Sequence, residues 1–112
     1  MSNPIELQQR MSELGGRYLQ RTIAEIPEMQ ALLREIPTGD ASLYKRIEIL
    51  AHRMRGSGAM FGFDLIADAT LGIEMLAVDA QRGLYSASVA LLARFEAGVR
   101  LLEFAIRAVQ EK

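Results

Sequence analysis

Apolar residues recur every three or four positions along most of the chain, and no segment alternates apolar and polar residues for more than a few positions. That spacing predicts helices and no sheet. The first series is Leu7, Met11, Leu14 and Tyr18, and the Gly15-Gly16 pair within it is expected to loosen or break the helix. A short first helix and a longer second one follow. The second runs through Leu19, Ile23 and Ile26, meets Pro27, and resumes with Gln30, Leu33 and Ile36. Pro27 lacks an amide proton and its ring crowds the preceding turn, so it either kinks this helix, the reading preferred here, or begins a new one.

Pro37-Thr38-Gly39-Asp40 joins a helix-stopping proline, a flexible glycine and a capping aspartate, which makes it the clearest loop. The third helix should begin at Ala41 and carry Leu43, Ile47, Leu50, Met54, Ser57 and Phe61 on one core-facing stripe. Gly62 ends it. Asp64 can cap a fourth helix bearing Leu65, Ala69, Ile73 and Leu76, which stops near Gln81-Arg82-Gly83. Ser86 can cap the last, where Leu92, Phe95, Val99, Leu102, Ile106 and Val109 repeat at helical spacing, with Glu96/Arg100 and Glu103/Arg107 four apart on exposed turns. Long helices joined by short loops pack antiparallel with their stripes inward. The expected fold is all-α, an up-down antiparallel four-helix bundle with a short additional N-terminal helix, forming one domain over residues 1–112.

Composition narrows the chemistry. Half of the 112 residues are apolar and 24% are charged, the balance of an ordinary globular domain rather than a disordered chain. Thirteen basic residues against fourteen acidic ones leave a net charge of −1, so no global field draws nucleic acid or an anionic membrane. The absence of cysteine removes disulfides, thiolate catalysis and cysteine-ligated zinc, and a single histidine rules out a multi-histidine metal site. Glu6, Arg10, Glu13 and Arg17 interrupt the region where a signal peptide would need an apolar stretch. The longest uncharged run, residues 83–93, is far short of the roughly twenty residues that span a bilayer. A cytoplasmic protein is expected, and the initiating Met1 and polar terminus at Lys112 suggest a free-standing one.

On a helical wheel of about 100° per residue, His52 lies opposite the stripe of the third helix, on a face with Lys45, Glu48, Arg55, Gly56 and Ala59. The imidazole should therefore point into water. Gly56 and Gly58 each cost a helix interior about 1 kcal/mol relative to alanine, which calls for a reason. Gly56, one turn after His52, clears space for another protein surface beside the imidazole, while Gly58 and Ser57 lie nearer the core side, where a neighbouring helix can approach. Arg55, three residues after His52, can reach an oxygen attached to the ring and neutralise phosphoryl charge. Arg53, Lys45 and Arg46 add a basic stretch that is otherwise read as solvated surface.

The run His52-Arg53-Met54-Arg55-Gly56-Ser57-Gly58-Ala59-Met60-Phe61-Gly62 resembles the signature of histidine-containing phosphotransfer (HPt) domains, written roughly H-x-L-K-G-S-[SA]-x-x-[LI]-G. The likeness extends to Ala51, to Leu65 and Glu74, and to Glu25-Ile26-Pro27. It implies a helical bundle with an exposed phosphorylatable histidine in mid-helix. His52 would be the phosphoryl acceptor and donor, Arg55 would stand for the family's lysine with a planar fork in place of a point charge, and Gly56 would be the position kept small for partner access. Met54, Phe61 and Gly58 depart from the pattern without removing the chemistry.

The resemblance implies a phosphocarrier exchanging phosphoryl groups with aspartates of response-regulator receiver domains, fed by an upstream, possibly hybrid, histidine kinase. No cofactor is expected on this chain, with Mg2+ supplied by the receiver. No G-x-x-x-x-G-K-[ST] loop is present and no ATP-binding kinase domain fits the length, so autokinase activity is not expected. No nucleic-acid or membrane partner is expected. A sensor-kinase dimerisation domain is the first rival, but there an acidic residue follows the histidine and two chains build the bundle. Here Arg53 follows it and one chain holds enough helices, so a monomer is expected. The alternative is a non-catalytic helical-bundle interaction module, motivated by exposed apolar residues such as Ile49 and Met60. A metal or haem bundle ranks lower, since one exposed histidine offers one nitrogen ligand.

Overall fold

The computed structural model describes residues 3–111; Met1 and Lys112, on which the free-standing expectation rests, lie outside the described residues. Among the described residues, four helices follow in order: α1 (Pro4–Arg34), α2 (Ser42–Met60), α3 (Asp64–Gln81) and α4 (Val89–Gln110), with a 3-10 turn at Ile36–Thr38. Each helix packs on its sequence neighbour, and α4 returns to α1. Contacts show the running sense of the pairs. Tyr18 of α1 bonds Met54 while Glu25 meets Arg53, and in the next pair Gly58 lies against Ala67 while Glu48 meets Gln81. Higher numbers in one helix thus meet lower numbers in the next, which makes α1/α2 and α2/α3 antiparallel.

The core is built by the predicted periodicity on α2 and α4. Leu43, Ile47, Leu50 and Met54 are buried on α2, and Phe95, Val99, Leu102 and Ile106 on α4. Ser57 and Phe61 are only partly buried at the end of the α2 stripe. On α3 the expected Ile73 is buried and Ala69 and Leu76 pack half-buried against the core, but Leu65 is exposed, and the fully buried line is Ile66, Thr70, Ile73, Ala77 and Ala80. The apolar spacing of α3 admits either line, and packing against α2 and α4 selects the one rich in small residues. The buried Thr22 and Thr70 hydroxyls donate to the carbonyls of Tyr18 and Ile66, one turn back, so neither is stranded.

Several expected boundaries are corrected. Among the described residues there is no separate N-terminal helix, because α1 runs unbroken through Gly15-Gly16 for 31 residues. Gly15 is buried against the α2–α3 turn, where a Cβ would stand at ordinary contact distance, 3.5 Å, from the Phe63 ring, so the helix is held by packing at the point where a break was expected. At Pro27 the preferred reading holds in that one helix continues through it and no new helix begins there. Asp40 does act at the start of α2, its Oδ1 accepting from Ser42 N and Oγ at 3.0 and 2.7 Å, but the helix starts at Ser42 rather than Ala41. Asp64 is the first residue of α3 and not its cap. Ser88 caps α4, accepting from Leu91 N, in place of Ser86. Gly62, at φ 76°, takes the left-handed conformation that turns the chain from α2 into α3.

Candidate functional site

The site lies on the outward face of α2, at its middle. His52 is exposed, with 64% of its side chain accessible, as the wheel predicts. Its Nδ1 lies 2.8 Å from Oε1 of Glu74, which α3 presents one residue after the buried Ile73. Glu74 is largely enclosed, 13% accessible, and is gripped from the other side by Arg55, whose Nε donates to Oε2 at 2.7 Å. Arg55 Nη2 stands 3.1 Å from Nδ1 and 3.4 Å from Oε1. The three side chains form one cluster across the α2–α3 seam.

The electrostatics assign the proton. The Arg55 hydrogen bond, aided by His52, holds the Glu74 carboxyl below the usual carboxylate range, against the opposing effect of partial burial. A carboxylate and an imidazole nitrogen at 2.8 Å need a proton between them, and an ionised Glu74 has none to give. Nδ1 therefore carries the hydrogen and donates to Glu74, so the Arg55 Nη2–Nδ1 approach is a contact between two donors held by their common acceptor. In the neutral ring this leaves the lone pair on Nε2.

The two glycines separate by function. A Cβ on Gly56 would meet nothing within 4 Å, so its small size serves no packing inside the chain and leaves open surface one turn beyond His52. A Cβ on Gly58 would come 2.8 Å from the Tyr18 hydroxyl. That hydroxyl donates to the Met54 carbonyl at 2.6 Å, and the Tyr18 ring lies against Phe61 and Phe63. Burial pushes the Tyr18 phenol upward, keeping it a donor.

Of the basic residues singled out in the sequence, only Arg55 joins the imidazole. Arg53 turns to α1, where Nη2 meets Glu25 at 2.6 Å, and Lys45 pairs with Glu48 at 3.4 Å. Glu48 also accepts from Gln81 of α3, which holds its carboxyl below the usual range. The part played by Glu74 was missed, although the residue lies within the family likeness. Its signal in the sequence is faint: a carboxylate directly beside a core isoleucine.

Among the described residues, no helix is long and apolar enough to cross a membrane. No curated protein and no solved structure gave a match. A family model does: that of the Hpt domain matches residues 16–111, nearly the whole bundle. With a helical bundle and an outward histidine on its second helix, this chain belongs to the Hpt domain family, whose members serve phosphotransfer in two-component phosphorelays.

Proposed function

We propose that this chain is a phosphocarrier in which His52 accepts a phosphoryl group from the aspartyl phosphate of one receiver domain and returns it to the aspartate of another. The observation that supports it most is the His52–Glu74 hydrogen bond, which fixes an exposed imidazole by Nδ1 and leaves Nε2 as the free nucleophile. In the forward step Nε2 gives its lone pair to phosphorus, the bond from phosphorus to the aspartyl oxygen breaks, and that oxygen leaves with its electron pair as a carboxylate. The ring becomes cationic, and the Glu74 carboxylate beside Nδ1–H stabilises that charge. Reversal on a second receiver regenerates neutral His52.

Arg55 neutralises phosphoryl charge by turning a terminal nitrogen outward while Nε keeps its bond to Glu74, and the planar fork suits both tasks. Gly56 leaves room for the receiver's surface to approach. The receiver brings the magnesium ion and the acidic pocket, so the carrier needs no cofactor or ATP site of its own. Upstream the donor is a receiver charged by a histidine kinase, which places the exchange in the cytoplasm.

The test is to charge a panel of receiver domains with acetyl phosphate and add this protein. An acid-labile, base-stable phosphoryl group should appear on the wild type and be absent from His52→Gln, whose exposed position leaves the fold intact. If no receiver transfers, and phosphoramidate also leaves His52 unmodified, the imidazole is no accessible nucleophile and the bundle is an interaction module.

A further inference from the structure

The first eleven residues of α1, Pro4 to Leu14, are all exposed and extend about 16 Å at helical rise beyond the point where Gly15 meets the bundle. They precede the span that matches the Hpt domain. This overhang is helical from its first residue by its own signals: the Asn3 side chain accepts from Glu6 N at 2.8 Å, and Pro4 occupies the first turn. It nonetheless carries an uncovered apolar stripe. Leu7, Met11 and Leu14 continue the line that Tyr18 buries in the bundle, and they are 56%, 40% and 41% exposed. Of the stripe, Met11 lines a groove together with Gln8, Ser12 and Gly15 and, across from them, Phe61, Phe63 and the exposed Met60.

The polar residues beside the stripe indicate what covers it. At about 100° per residue, Glu6, Arg10, Glu13 and Arg17 all fall on one flank, while Gln8, Ser12 and Gly15 occupy the other. The charge order is self-complementary when reversed. Glu6 with Arg17, and Arg10 with Glu13, are centred on the same point, between Met11 and Ser12. Two copies related by a two-fold axis perpendicular to antiparallel helices bring the same flank of each together. In that arrangement each Glu6 faces Arg17 of the second copy and each Arg10 faces Glu13 of the second copy. Leu7 of one then lies beside Leu14 of the other, around paired Met11 side chains. A parallel pair would instead set the charged flank against the uncharged one.

We propose that the N-terminal half of α1 is a homodimerisation helix, pairing antiparallel with the same segment of a second copy. The dimer replaces the monomer expected from the number of helices, since here the bundle is complete in one chain and only the overhang is shared. Apolar burial supplies the affinity and the ion pairs set the orientation. A contact of about three helical turns lies at the small end of specific interfaces, so the dimer should be weak and dissociate on dilution.

Sedimentation of the full chain over about 1 μM to 1 mM should show a monomer–dimer equilibrium. Leu7→Glu should weaken it by at least about tenfold, with helix content unchanged by circular dichroism. Arg10→Glu and Glu13→Arg should each weaken self-association by about tenfold, because each turns two attractive pairs into repulsions. Mixing these two variants is the decisive arm. In the mixed dimer the substituted, acidic position 10 of the first chain faces the substituted, basic position 13 of the second. The retained Glu13 of the first chain faces the retained Arg10 of the second, so heterodimers should form at wild-type strength. Local fraying of either variant helix would predict no such recovery, and its absence overturns the proposal. A chain monomeric throughout the range also overturns it, as does a dimer indifferent to Leu7→Glu. Loss of phosphoryl transfer in Leu7→Glu would assign the stripe to the receiver instead and overturn it too.

Discussion

The two faces of α2 solve opposite problems with the same residue type. On the outer face, Gly56 lies in open space beside an imidazole fixed by Glu74 and Arg55. Two residues later on the inner face, Gly58 admits the Tyr18 hydroxyl to the Met54 carbonyl and lets α1 close on α2. Both glycines forgo helix propensity. Gly58 recovers it inside the molecule, through a buried hydrogen bond and aromatic packing, whereas nothing inside the molecule recovers it at Gly56. A cost with no internal return points to something outside the chain, which is what access by a partner would require.

The sharpest way to break this contrast is to fill both positions. Gly58→Val should destabilise the bundle by about 2–3 kcal/mol, since it displaces the Tyr18 hydroxyl and overpacks the α1–α2 seam. A denaturation midpoint unchanged from wild type would show that the close approach is unimportant. Gly56→Ala should act in the other direction and stabilise by about 0.5–1 kcal/mol, the helix propensity recovered with no clash. The larger Gly56→Gln should keep the fold and phosphoramidate labelling of His52 yet slow transfer from a receiver. Equal slowing of both reactions would move the effect from access to the imidazole itself.

The smallest effect concerns acid. The Glu74 pKa is lower in the folded than in the unfolded chain, so its pairing stabilises fully above the unfolded value near 4.5 and is lost as the pH falls through the lower folded one. The stability gap between wild type and Glu74→Gln should therefore close on acidification below that value. A gap that persists at low pH would mean Glu74 contributes through packing rather than charge.

Legibility followed the range of the interactions involved. The outward direction of His52 and the buried stripes of α2 and α4 were readable because helical periodicity is local. The division of labour between Gly56 and Gly58 was readable for the same reason, from their angles on one helix. Reading failed where a distant contact overrode a local signal. Gly15-Gly16 looked like a break, but Gly15 is buried against Phe61 and Phe63, far along the chain, and the helix runs on through both glycines. On α3, Ile73 is buried as expected and Ala69 and Leu76 border the core, but Leu65 is exposed and the stripe is centred on Ile66, Thr70 and Ala77, because its small and large apolar residues leave adjacent faces nearly equivalent until neighbouring helices choose between them.

By itself, then, the sequence determined an all-helical chain, a lone histidine turned to water in mid-helix, and a glycine beside it that no helix would choose for its own sake. Only the tertiary structure decided which carboxylate holds the ring. Glu74 and His52 lie on different helices, and their 2.8 Å approach depends on the register of α3 against α2. That register comes from packing among many side chains at once, and no spacing within either helix encodes it.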